Sequence, residues 1–304
     1  MEQKATRNPV VDVRGIPLPL PIARHFARVD AFQSFKGDLL IATYPKAGTT
    51  WTQEIVDLIL NKGNEEKCRR APTSVRMPFL EMTSLDPSNS GITKLESMEP
   101  PRVIKTHLPI QLVPRSFWEA GCKVIYVARN PKDSVVSYFH FDRMNLTQSE
   151  PGPWPEYLEK FMKGQLAWGS WYDHVKGYWR EKQKNKNILY LFFEDMKEDP
   201  AQEVLRIAEF LGQDVSRSVV DNIVQLTTFA TMRDNPMANY STVPDNVFDR
   251  KASEFMRKGE IGDWQNHFSP QEDAVFEEHY HRMMADTPIP FRFSLHATKT
   301  KCSL

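Results

Sequence analysis

Cysteine is scarce: Cys68, Cys122 and Cys302 are the only three in 304 residues. An odd, widely spaced set excludes a disulfide scaffold and a zinc knuckle, and fits a reducing compartment. No apolar run approaches the ~20 residues that a membrane span needs. Met1–Pro21 is polar and then proline-rich, without the hydrophobic stretch of a signal peptide. The expectation is a cytoplasmic protein, in which Asn145-Leu-Thr147 and Asn239-Tyr-Ser241 match glycosylation signals but go unused. Cys302 stands third from the end, whereas prenylation needs a cysteine fourth from the end. Excess charge of one sign is also missing, because 39 Lys+Arg balance 39 Asp+Glu. Whole-molecule attraction to a polyanion is therefore not expected, which disfavours a nucleic-acid binder. An anion site has to be built locally. Internal repeats and low-complexity blocks are absent too.

Hydrophobic residues at 40% and charged residues at 26% support a sizeable core and exclude global disorder. Asp38–Tyr44, Arg102–Thr106, Lys123–Ala128 and Asn187–Phe193 read as short buried strands. Helical spacing follows or separates them: after Thr50, from Lys132 to about Phe139, from Pro155 to Arg180, and from Ala201 to Leu211. Apolar strands alternating with helices imply an α/β fold with a central parallel sheet covered on both faces. Residues 64–100 and 233–270 read as irregular loops, and no clean linker divides the chain, so one domain is expected.

The first strand runs into Tyr44-Pro-Lys-Ala-Gly-Thr-Thr-Trp51 and then a helix. Such a loop presents unpaired N–H groups and the positive end of a helix dipole to an anion. Gly48 allows close backbone approach, Lys46 adds charge, and Thr49 and Thr50 add hydroxyls. Taken alone, this is equally an ordinary turn with a capping threonine. It is not the Gly-x-x-x-x-Gly-Lys-[Ser/Thr] loop of nucleoside triphosphatases. Strand Lys123–Ala128 ends in Arg129 rather than in a magnesium-binding Asp. That charge suits an anion directly, without a metal. A second basic element, Phe255-Met-Arg-Lys-Gly259, precedes Gly262-Asp-Trp264. Arg257 and Lys258 there are either a phosphate clamp or a solvated surface pair. Two anion sites would suit a ligand phosphorylated at both ends.

Lys105 and His107 stand at the carboxyl end of a strand, where ligands bind in open parallel sheets. Histidine near its ordinary pKa takes a proton from a hydroxyl, and a neighbouring lysine steadies negative charge. Each of the eight histidines is by default a satisfied loop or core residue, but only His107 has this setting. His279 and His281 share a face without a further ligand cluster, so no metal site is expected. Phe79, Phe139, Phe141, Trp168 and Tyr240 lie in or beside the irregular segments, and such residues line the pocket that a flat acceptor requires.

Taken together, Thr43–Trp51, Lys105-Thr-His107, Tyr126–Asn130, Val136-Ser-Tyr138 and Phe255–Trp264 resemble the cytosolic sulfotransferases, closest to the phenol-type branch. The resemblance runs from about Gly15 to Leu295. It implies a P-loop-like sulfotransferase domain over 1–295, with a basic tail at 296–304. It implies transfer of a sulfuryl group from PAPS (3′-phosphoadenosine 5′-phosphosulfate) to a small, phenolic hydroxyl or an amine, with no metal, no membrane and no nucleic acid, as in xenobiotic and hormone metabolism. The 5′-phosphosulfate loop maps onto Lys46, Ala47, Gly48, Thr49, Thr50 and Trp51. The 3′-phosphate maps onto Arg129, Ser137, Arg257, Lys258 and Gly259, beside Phe255 and Met256. The adenine maps onto Trp51, Thr227, Thr228, Phe229 and Met232. The base falls on His107, with Lys46, Lys105 and Ser137 as catalytic partners and Ser137 holding Lys46 aside until an acceptor binds. The acceptor is expected against Phe79, Lys105, His107, Phe139, Phe141, Trp168 and Tyr240.

Two departures stand out. Phe193 replaces the family's usual tyrosine among the donor contacts. The family's short dimer motif is changed at Gln265, Ser269, Pro270 and Ala274, which implies a monomer or weak homodimer. The alternatives are a small-molecule kinase using ATP and magnesium, against which the absent Walker pattern counts, and a nucleotide-binding module in which His107 is idle.

Overall fold

The computed structural model describes residues 7–83 and 90–294. The expected tail at 296–304, Cys302 and residues 84–89 of the segment 64–100 lie outside the described residues. The chain opens with an antiparallel hairpin of β1 (Val10–Val13) and β2 (Ile16–Pro19), followed by the helix Leu20–Asp30. Neither is apparent from hydrophobic spacing alone. The central sheet contains β3 (Leu39–Thr43), β4 (Val103–Thr106), β5 (Lys123–Ala128) and β6 (Ile188–Phe192), in the order β4-β3-β5-β6 with every pairing parallel. After β3 the chain goes to one side for β4, then crosses to the other for β5. Ligands bind outside the carboxyl ends at such a reversal.

Period-two alternation sorts β3 between two cores. Leu40 and Ala42 join the cluster holding Tyr44, Leu108, Tyr126 and Trp171. Leu39 and Ile41 join Ile55, Val56 and Ile59 from the helix Thr49–Leu60. All five residues of β3 are buried, so this strand carries the loop after it on a rigid support.

Three expectations need correction. The helix expected from Pro155 to Arg180 is two, Trp154–Met162 and Trp171–Lys182. Between them Gly164, Trp168 and Gly169 all have positive φ, a left-handed backbone that cannot continue a helix. The helix begun near Lys132 extends over Pro131–Met144, started by Asn130, whose side chain accepts from the Asp133 N–H at 2.9 Å. Phe193 does not end a strand; it opens the helix Phe193–Glu198.

Candidate functional site

The loop between β3 and the helix Thr49–Leu60 turns through two left-handed residues, Lys46 at φ 70° and Gly48 at φ 104°. A Cβ on Gly48 would come within 2.9 Å of the Phe193 ring, so only glycine fits. Ala47, Thr49 and Thr50 are buried around the turn, and the Thr49 hydroxyl pairs with that of Thr43 at 2.7 Å. Trp51 packs edge-on against Phe193 at 5.5 Å, and its buried indole N–H has no partner.

Arg129 joins this loop to the second basic element. Its guanidinium lies 4.4 Å from the centre of the Phe193 ring, donating to the Lys46 carbonyl (3.3 Å) and the Glu260 carbonyl (2.8 Å). The Nε–H of Arg129 is buried with no acceptor, and so is that of Arg257. Both are donors left for an anion. Phe193 thus keeps a stacking role under Arg129 without the missing hydroxyl. Gly259, at φ 64°, meets Phe229 so closely that a Cβ would lie 2.3 Å from the ring. Met232 and Thr227 are buried beside it in sequence, with the Thr227 hydroxyl donating to the Ile223 carbonyl at 2.8 Å. The Thr228 side chain caps the helix Phe229–Asp234 and so is spent on backbone. Ser137 is half-buried on the helix Pro131–Met144, and Met256 is half-buried beside Arg257.

His107 follows β4 and is buried. Its Nδ1 lies 2.9 Å from the Thr43 carbonyl, which only accepts, so Nδ1 carries the proton and Nε2 keeps its lone pair. Its backbone N–H donates to Glu81 at 2.7 Å, and its carbonyl accepts from His174 Nε2 at 3.0 Å. Burial first, then the Lys105 charge, lowers the imidazole well below its usual pKa, so it is neutral at physiological pH. Phe79 and Trp168 meet its ring edge-on at 4.9 and 5.5 Å.

The two lysines of the site rest on aromatic rings. Lys105 Nζ is 4.5 Å from the Phe79 ring centre and 6.0 Å from that of Tyr240. Lys46 Nζ lies between Phe141 and Phe255, at 4.5 and 4.4 Å. Burial, reinforced by Lys105, Arg129 and Arg257, lowers the Lys46 ammonium to about 7. Tyr240 packs tilted on Phe255 at 4.2 Å, and Phe248 completes the wall against Phe141 at 5.9 Å.

Phe139 is set apart from these rings. It packs on Trp154 and Tyr157 of the neighbouring helix, at 5.4 and 5.2 Å. Residues 139 and 141 are two positions apart on one helix and so face different ways. Sequence reading overlooked Glu81, a buried carboxylate accepting from the Thr106 hydroxyl (2.9 Å), the His107 N–H and the Trp168 indole (3.2 Å). Burial raises it to about 7. Its only sequence signal is an acid directly after the apolar Phe79-Leu80. Among the described residues, no group of three or more His, Cys, Asp or Glu side chains is placed to hold a metal ion.

Fold and site together fit a group-transfer enzyme for an anionic donor, and they set a neutral histidine among aromatic rings. Residues 36–288 match the family model described as a sulfotransferase domain, and the chain belongs to the sulfotransferase family. It is 49% identical over 286 residues to sulfotransferase 1 family member D1 of Mus musculus, covering 94% of this chain and 96% of that one. Among solved structures, retinol dehydratase in complex with androsterone and the inactive cofactor PAP superposes with a TM-score of 0.83 at 25% identity, covering 93% of this chain and 90% of that one. Mouse sulfotransferase SULT7A1 complexed with PAP gives 0.75 at 30% identity, covering 91% and 96%. The chain is accordingly a PAPS-dependent sulfotransferase acting on small acceptors. None of its helices among the described residues is long and apolar enough to cross a membrane.

Proposed function

We propose that this enzyme sulfates a small phenol, with His107 as the base. The observation that carries this reading is the fixed tautomer of His107: Nδ1–H is tied to the Thr43 carbonyl, leaving Nε2 as a neutral acceptor bounded by Phe79 and Trp168. Two flat rings beside the base, stacked on each other at 6.2 Å, give a planar acceptor an apolar surface next to which its hydroxyl can point at Nε2. The donor supplies, when bound, a sulfuryl group carried on a phosphate leaving group. Residues 46–51 would hold its 5′ end, through the loop N–H groups and Lys46. Arg129 and Arg257, each with a buried unpartnered Nε–H, would hold the 3′-phosphate together with Lys258, Gly259 and Ser137. Trp51, Phe229 and Met232 would flank the adenine.

His107 Nε2 takes the proton of the acceptor hydroxyl. Lys105, on the same side of the sheet edge, offsets negative charge at the oxygens near the transferred group. Lys46 does so from the donor side, once drawn from between Phe141 and Phe255.

The same reading makes the protein cytoplasmic, with its catalytic domain over 1–295. It also makes it a monomer or weak dimer. Gln265, Ser269, Pro270 and Ala274 are exposed, and Ser269 and Pro270 serve as cap and first residue of the helix Pro270–Met284. Light scattering behind a sizing column at micromolar concentration checks this; a tight dimer through that segment refutes it. An assay with labelled PAPS against phenols, steroids and arylamines, with and without chelator, tests the acceptor class. Turnover of phenols, unaffected by chelator, is the expected result; activity confined to aliphatic alcohols overturns the phenol reading.

A further inference from the structure

Asp263 lies beneath the basic element and is 5% exposed. Its two oxygens are divided between two cations: Arg257 Nη2 donates to Oδ2 at 2.5 Å, and Lys258 Nζ donates to Oδ1. Asn266 Nδ2 adds a further hydrogen bond to Oδ1 at 3.0 Å. The segment carrying Asp263 is itself tied down, because the Asp133 carboxylate accepts the backbone N–H groups of Gly262 (2.8 Å) and Trp264 (3.1 Å). The carboxylate therefore has a fixed place and a full set of donors. Burial raises its pKa, but the bonds from Lys258, Asn266 and Arg257 outweigh that and hold it well below the usual range, so it stays ionised.

The Arg257 guanidinium is thus gripped at one corner while its Nε–H remains buried and unpaired. Arg129 has the same arrangement: both Nη groups are used on backbone carbonyls and Nε is free. A planar guanidinium held through its terminal nitrogens keeps its Nε–H in one orientation. The two unpartnered Nε–H groups are donors that a phosphate at this place can use.

We propose that Asp263 is a positioning residue for the donor's 3′-phosphate: it anchors Arg257 and Lys258 so that the Arg257 Nε–H edge meets the phosphate already aimed. The inference rests on reading Arg257 to Gly259 as the 3′-phosphate clamp. Asp263 itself touches neither the donor nor the acceptor.

A ligand pair that differs only in the 3′-phosphate isolates this role. Binding of PAP and of adenosine 5′-monophosphate is measured by calorimetry on the full chain for wild type, Asp263→Asn, Asp263→Glu and Arg257→Ala. Asp263→Asn should lower the ratio of PAP to monophosphate affinity about tenfold, the scale of one charge-assisted hydrogen bond. Asp263→Glu keeps the charge and should recover part of that loss; if the asparagine variant does not fold, a reduced ratio in the glutamate variant carries the test. A ratio unchanged in the folded variants overturns the proposal. So does a raised ratio, which would mean that the carboxylate competes with the phosphate. A merely structural role would weaken both ligands alike and leave the ratio where it was. Arg257→Ala separates the two levels: if it lowers the ratio while Asp263 variants do not, only the positioning role fails. If it too leaves the ratio unchanged, the clamp assignment fails with it.

Discussion

Donor binding should take up a proton, and Lys46 is the group that takes it. In the empty protein burial and three neighbouring cations lower its ammonium to about 7. An anionic phosphate beside the loop favours the charged form and returns the pKa toward its ordinary ~10.4. The sign follows. Below about pH 6 the lysine is already protonated in both states, and affinity is flat with respect to this group. Above pH 7 the empty protein is mostly neutral at Lys46, so each further unit costs nearly a factor of ten, or about 1.4 kcal/mol. The Lys46 contribution to PAP affinity should therefore fall about tenfold from pH 6 to 8 and about a hundredfold from pH 6 to 9, and above pH 8, where the phosphates no longer titrate, the measured affinity should follow it. Calorimetry at pH 8 in buffers of different ionisation enthalpy should find about 0.9 proton bound per PAP; its phosphates, with a second pKa of about 6, are then ionised and add nothing. Lys46→Met should abolish both the uptake and the slope. Zero uptake by the wild type at pH 8, or the same uptake by Lys46→Met, refutes the reasoning.

His107→Ala should cut turnover by about 10²–10⁴, the usual contribution of a general base, with PAP affinity retained; single-turnover assays and calorimetry read the two separately. Glu81→Ala strands three buried donors and should cost on the order of 2–4 kcal/mol in urea unfolding, whereas Glu81→Gln, which still offers one acceptor oxygen, should cost less. Gly259→Ala must displace Phe229 or the turn, since its Cβ would lie 2.3 Å from that ring. PAP affinity should fall by about tenfold or more, in line with the 1–3 kcal/mol of local backbone strain, and unchanged calorimetry would show that the turn yields freely.

The legible parts of this site are those made by neighbours in sequence. The change from a buried strand to a helical period on either side of Pro45–Thr50 locates the loop, and the strand end at Thr106 locates His107, because both depend on local periodicity. What holds these groups comes from afar. Glu81 is 26 positions from His107, and Thr43, which sets its tautomer, is 64 away; neither pairing leaves a mark in spacing. Apolar residues keep recurring between Pro155 and Arg180, so periodicity alone runs one helix through a break that only Gly164 and Gly169 mark. Phe139 and Phe141 look equivalent in composition, and only helix geometry separates them. Asp263 stands inside a segment that was noticed for its charges, yet its grip on Arg257 depends on the turn at Gly259 and Gly262, which folds the chain back over five or six residues.

In the proposed reading the aromatic wall has a second role beside the acceptor. Its rings also offset part of the desolvation of two half-buried lysines, with Lys46 between Phe141 and Phe255 and Lys105 on Phe79. A cation over a ring is stabilised by about 0.5–2 kcal/mol. A charge-assisted hydrogen bond to an anion is stabilised by about 1.5–3 kcal/mol. Two rings together, at about 1–4 kcal/mol, are thus of the same order as one bond to phosphate, so in the proposed mechanism Lys46 can pass from rings to phosphate and back on product release. A carboxylate in place of the rings would hold the lysine more tightly and compete with the donor. An aliphatic wall would leave the amine unsolvated and still more neutral. Phenylalanine at 141 and 255 lies between these limits, and it leaves apolar surface for a planar acceptor once the lysine has gone.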